Sequence, residues 1–265
     1  ISWMSKTCRS LGKPASVCVS PHPFHTVAID LEGPASPSPN GNKYILTMLD
    51  TFTRWVVAVP ITSKKASVVA HAIYRHWICK YGCMKRVLSD RGKEFVNGGI
   101  ESMCERWSIR QIKTTGWQPQ ANPVERVHRW LNSSMTTLSS SFGSDWDTCV
   151  DAVIFAFNTS YHESTGFSPY NLVYGRQPML PDDVIFSHAQ RDYKDETDLR
   201  IRCGEWLAKA YKETIRQQTV MTNKNQACRD RRFRRAQFKP GNHVLYWQPN
   251  NAQEQGRKPN KDDSA

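Results

Sequence analysis

The 265 residues carry 36 Lys and Arg against 24 Asp and Glu, for a net charge of +12, with 39% hydrophobic and 23% charged residues. This is ordinary globular composition, enough for one sizeable core with smaller appendages. No apolar run approaches the length of a membrane span and the first twenty residues lack the apolar stretch of a secretory signal, so the expectation is an intracellular chain with no membrane partner.

The basic excess, with a pI near 9.4, points to a polyanionic partner, nucleic acid first, whose binding through phosphates weakens with salt. The eight cysteines (Cys8, Cys18, Cys79, Cys83, Cys104, Cys149, Cys203 and Cys228) are scattered without paired spacing. They read as incidental thiols rather than disulfides or a zinc site. Cys79 and Cys83 lie near His76 but lack a second ligand pair. Ile1 is not an initiator methionine, which suggests a processed product or a fragment of a polyprotein.

Residues 1–22 are rich in Ser, Pro and Lys and read as an irregular arm. In HTVAIDLEG, Val27, Ile29 and Leu31 alternate with Ala28 and Asp30, the period of a strand that carries a carboxylate. KYILTMLD and RWVVAVPI read as two more strands joined by Asp50 to Thr53, an antiparallel meander. Lys64 to Tyr81 is predicted helical, with Val69, Ala72, Ile73, His76 and Trp77 as its stripe and Gly82 as a left-handed stop. The strand RVLS runs into Asp90, and a helix around Ile100 to Trp107 and the strand SIRQIK follow.

The next helix is signalled by Asn122 as N-cap and Pro123 at the first helical position, with Glu125 two residues on. Val124, Val127, Leu131, Met135 and Leu138 form its apolar face. A further helix is capped by Ser144 and buried over Val150 to Phe157. A short one starts at Ser168 and Pro169 and ends at Gly175. The sum is an α/β layered domain. Past Pro181 a polar, acidic stretch leads into a linker helix, with Leu199, Cys203, Trp206, Ala210 and Ile215 as its stripe. It ends in the basic run RDRRFRR, and FKPGNHVLYWQ then opens like a small β-module.

Asp30 lies in one strand, Asp90 at the exit of another and Glu125 on the first turn of a helix. If the first and fourth strands are neighbours, the aspartates meet and the helix can swing Glu125 over them. Three such carboxylates repel one another unless cations neutralise them, and hard oxygen ligands suit Mg²⁺ or Mn²⁺. Two such ions ~4 Å apart serve in-line phosphoryl displacement. For Glu125 a plainer reading stands beside this one: a capping box with Asn122 and a pair with Arg129. Asp50 reads as a turn former bonding its own backbone, Glu32 as peripheral, and His162 as structural.

IDLEGP, LDTFTRW, LSDRGKEF, TTGWQPQANPVERVHR and NTSYHESTGFSPYNLVYGRQPMLP occur in an order that resembles a retroviral-type integrase, closest to the gypsy-like long-terminal-repeat retrotransposons. The resemblance covers about residues 23–181. It implies a ribonuclease-H-like core with a mixed five-stranded sheet flanked by helices, then a helical basic linker (182–235) and a truncated SH3-like module with its tail (236–265). It implies a triad in which Asp30 bridges two Mg²⁺ ions per active site while Asp90 and Glu125 each hold one. It further implies 3′-end processing and strand transfer of element DNA into double-stranded target DNA by a homo-oligomer. The site of action would be the nucleus, reached from a cytoplasmic virus-like particle.

By the same resemblance Gln118, Gln120, Asn122, Arg129 and Asn132 touch DNA ends; a solvated face is the alternative. Arg231, Arg232, Arg234 and Arg235 read as phosphate contacts, nuclear import being the other use of such a run. Two features depart from the family. Asp90 and Glu125 are separated by 34 residues, one fewer than usual, and QPQANPVE lacks the family's glycine, which implies a stiffer loop. Ser5 stands where the family's N-terminal zinc module has a Cys, so no zinc is expected in this chain. A domesticated or decayed integrase that binds DNA or partners without catalysis is the alternative reading.

Overall fold

The computed structural model describes residues 20–90, 92, 95, 98–113, 123–142, 145–180, 183 and 196–232. Five strands, β1 (Thr26–Glu32), β2 (Tyr44–Asp50), β3 (Val56–Ile61), β4 (Arg86–Ser89) and β5 (Arg110–Lys113), form one sheet in the order β3-β2-β1-β4-β5. The meander β1-β2-β3 is antiparallel, and β4 and β5 join it in parallel. A mixed sheet follows from the connections: short turns inside the meander, helical crossovers after it.

Alternation along the strands feeds two cores. Val27, Ile29, Leu46, Met48 and Val87 face one, with Val69, Ile73 and Trp77 from α1 (Ala66–Ile73) and its continuation and with Ile100 from α3 (Gly98–Arg106). Ala28, Ile45, Leu49, Val56 and Ala58 face the other, against Val124, Val127 and Leu131 of α4 (Val124–Phe142) and Val150, Val153 and Phe157 of α5 (Trp146–Thr159). The result is a helix, sheet, helix sandwich. Leu131→Ala in such a core costs about 2–5 kcal/mol.

The helix expected over Lys64 to Tyr81 is interrupted: a π-helical turn, Tyr74–Ile78, separates α1 from the last turn α2 (Cys79–Tyr81). The extra residue shifts the phase, so that Trp77 and Ile78 are both buried while His76 is only half-buried. Gly82 has the positive φ expected, 87°, but its ψ of 178° takes it out of the left-handed helical region. Gly175, at φ 69° and ψ 11°, is the left-handed stop of α6 (Pro169–Tyr174), and the Ser168 hydroxyl accepts from the Asn171 N–H at 3.2 Å. Asp145 occupies the position before α5; the expected cap Ser144 lies outside the described residues.

The long helix α7 (Glu196–Arg232) packs on the core through its middle turns. Contacts divide the chain between Asn225 and Gln226, and the described part of the second unit is the last turns of this helix. In the first unit Trp206 packs edge-on against Phe167 (5.5 Å between ring centres), and Tyr211 does so against Phe52 (5.5 Å) while its hydroxyl donates to the Leu172 carbonyl at 3.0 Å. Ala210, Thr214 and Gln218 are buried, and Gln218 Nε2 donates to the Phe52 carbonyl at 2.7 Å. Ile215, expected on the inner stripe, is 41% exposed. The residues expected to form the β-module lie outside the described ones.

Candidate active site

β1 and β4 pair in parallel with Thr26 opposite Arg86, Val27 opposite Val87 and Ala28 opposite Leu88. Continuing that register brings Asp30 level with Asp90, where the two strands part. Burial raises the Asp30 carboxyl above its ordinary range; His128 and the Leu31 N–H oppose this, and the neighbouring Asp90 and Glu32 add to it. Asp30 Oδ1 accepts that N–H at 3.0 Å, and Asp90 Oδ1 accepts from the Gly92 N–H at 2.9 Å.

Glu125 is exposed on the first turn of α4, the helix that packs over β1 and β2. Among the described residues no three His, Cys, Asp or Glu side chains form a set able to hold a metal ion. The structure thus brings Asp30 and Asp90 together and leaves Glu125 outside a three-group cluster. Mutual repulsion of carboxylates disfavours closer approach. The chemistry of the two aspartates suits a hard divalent cation: both offer oxygen ligands, and Asp30 carries a desolvation cost that a cation would relieve.

His128, which the sequence reading had not singled out, enters the site, and Glu32 and Asn132 meet each other there. Nδ1 of His128 lies 3.6 Å from Asp30 Oδ2 and 3.7 Å from Glu32 Oε2, and Asn132 Nδ2 donates to Glu32 Oε1. Glu32, read as peripheral, is therefore held against α4. The signal was present: Asp30 and Glu32 stand two apart on one strand face, and Glu125, His128 and Asn132 recur at three and four on one helix face. Asn132 sits where it meets Glu32, and Arg129 is exposed on α4. Gln118, Gln120, Asn122, Arg234 and Arg235 lie outside the described residues, as do the side chains of Arg231 and Arg232.

The other acidic candidate behaves as a turn former. Asp50 is fully buried, and its Oδ2 accepts from the Thr53 N–H at 2.8 Å and the Thr53 hydroxyl at 2.7 Å. Asn158 is buried, accepts from the Val56 N–H at 2.9 Å and donates to the Val56 carbonyl at 2.8 Å, tying α5 to β3. The six described cysteines are free thiols.

The family described as "Integrase core domain" matches residues 20–119. A Drosophila melanogaster protein, "Retrovirus-related Pol polyprotein from transposon 412", is 34% identical over 212 residues, covering 76% of this chain and 17% of its own length. "Gypsy retrotransposon integrase-like protein 1" from Bos taurus is 30% identical over 161 residues, 61% of this chain and 32% of that protein. The chain therefore spans a third or less of these relatives. Among solved structures, the simian T-cell lymphotropic virus intasome in complex with PP2A regulatory subunit B56 gamma aligns at a TM-score of 0.52 with 18% identity, over 60% of this chain and 57% of that one. That likeness agrees with the strand order and the helical layers: the fold is ribonuclease-H-like. On motif order, fold and family match together, the chain carries an integrase core domain of the retroviral and retrotransposon type.

Proposed function

We propose that this chain is a metal-dependent polynucleotidyl transferase that trims the 3′ ends of retroelement DNA and joins them to target DNA. The observation that carries the reading is the Asp30 and Asp90 pair, set level by the parallel register of β1 and β4 at the C-terminal ends of two neighbouring interior strands. Asp30, Asp90 and Glu125 would hold Mg²⁺ or Mn²⁺. Such ions supply Lewis-acid polarisation of a phosphodiester and neutralise charge developing on it. In processing, water attacks the phosphorus and the 3′ oxygen of the retained strand departs and takes a proton. In joining, that 3′-hydroxyl attacks a target phosphorus, gives up its proton, and displaces the target's own 3′ oxygen.

The basic balance of the chain suits double-stranded DNA as partner, and the name "intasome" of the structural relative suits a homo-oligomer around it. A nuclear site of action, reached from a cytoplasmic virus-like particle, follows from that role. A core over residues 23–181 without structural zinc, followed by a DNA-contacting linker, belongs to the same reading. A second reading, a binder that no longer catalyses, draws on the position of Glu125 outside a three-group cluster.

Labelled blunt DNA ends, incubated with the chain in Mg²⁺ and in Mn²⁺ beside Asp90→Asn and Glu125→Gln, separate the two. Catalysis predicts joined products that fall at least about a hundredfold in both variants, the scale of losing one metal ligand or transition-state contact. Salt-sensitive binding without cleavage or joining by the unsubstituted chain supports the binder.

A further inference from the structure

The geometry points to Glu32 as a positioning residue that locks α4 in axial register on β1, and thereby sets where Glu125 stands relative to Asp30. The inference rests on the catalytic reading above.

Successive same-face residues on a strand lie ~6.6 Å apart, and one turn of a helix rises ~5.4 Å, so two rungs can match across a strand and a helix packed together. Both rungs are made here. His128 Nδ1 stands 3.6 Å from Asp30 Oδ2 and 3.7 Å from Glu32 Oε2, and one turn on, Asn132 Nδ2 donates to Glu32 Oε1. In the opposite direction the next turn carries Val124, buried in the same core as Ala28 of β1, with Glu125 beside it. The order Glu32, Asp30, Ala28 on the strand thus runs against Asn132, His128, Val124 on the helix.

The apolar contacts alone hold α4 to the sheet but specify its axial position weakly, since Val124, Val127 and Leu131 repeat at each turn. A slip of one turn would move Glu125 by ~5.4 Å, more than a ligand set tolerates. The Glu32 side chain meets two successive turns of α4 at once, through His128 and Asn132. Its polar bond with Asn132 supplies the register that the apolar stripe lacks.

The test compares Glu32→Ala, Glu32→Gln, Asn132→Ala and the Glu32→Ala/Asn132→Ala pair. In metal-free chemical unfolding, the double variant is expected to lose less than the sum of the single losses, because one contact is removed twice. In joining, Glu32→Ala lowers kcat about tenfold with KM for DNA unchanged and raises the Mg²⁺ concentration for half-activity severalfold, as a displaced Glu125 requires. Glu32→Gln restores both, its amide oxygen still accepting from Asn132. A purely structural loss would shrink the active fraction and leave the Mg²⁺ midpoint in place. Additive unfolding losses, or an unmoved Mg²⁺ midpoint in Glu32→Ala, overturn the inference. If the unsubstituted chain joins no DNA in either metal, the catalytic reading fails, and the unfolding cycle and Mn²⁺ binding by the DNA-free chain still decide for or against the clamp.

Discussion

At the scale of single residues, polar groups placed in the interior do the positioning. Asn158 satisfies both main-chain groups of Val56, and Asp147, at the start of α5, accepts from Ser38, Asn40 and Asn42 at 2.6, 3.1 and 2.8 Å. Both fasten α5 to the meander that carries Asp30. His162 follows α5 and packs at a tilt against Phe157 with 4.5 Å between ring centres, its Nε2 3.3 Å from the Phe157 carbonyl. Burial holds its pKa below the ordinary histidine value; the Phe157 carbonyl opposes this, and the nearby Arg54 adds to it. A base whose folded pKa is depressed contributes stability that is complete above ~6.5 and is lost as pH falls through that value. Between about pH 7 and pH 5 the unfolding midpoint should therefore fall more steeply for the parent chain than for His162→Gln. Parallel curves in thermal melts would remove His162 from this role.

At the scale of elements, α7 shows how a helix can look like a spacer and pack like part of a domain. Its inner face is Ala210, Thr214 and Gln218, spaced at one turn, with Trp206 and Tyr211 beside them. Two of the three are polar, so a search for apolar spacing selects Ile215, which faces outward. The amide of Gln218 caps the Phe52 carbonyl in the turn that also holds Asp50 and Thr53. Gln218→Ala strands that carbonyl and should cost about 1–3 kcal/mol. A chain spanning residues 20–181 should accordingly melt several degrees below one spanning 20–225. Equal melting temperatures would show that the core is indifferent to α7.

At the scale of the molecule, the layered fold was legible because the strands of the meander feed both cores by alternation: in β1, 27 and 29 go to one core and 28 to the other. The pairing of Asp30 with Asp90 followed from the same alternation once β1 and β4 were made neighbours, which the motif order suggested and the register carries out. What could not be read was set by contacts distant in sequence. The π-turn that buries Trp77 and Ile78 together departs from every regular period, and the role of Glu32 depends on residues 96 and 100 positions away. The net charge of +12 spoke for a polyanionic partner at once, yet said nothing of where on the fold it binds.

In the proposed reaction Asp30, Asp90 and Glu125 act as one cation site. Mn²⁺ binding to the DNA-free chain, followed by electron paramagnetic resonance, tests this most directly. Saturable binding that weakens at least about tenfold in both Asp30→Asn and Glu125→Gln is predicted, as loss of a charged oxygen ligand from one shared site requires. Binding that Asp30→Asn weakens and Glu125→Gln leaves unchanged would place Glu125 outside the site and contradict the triad.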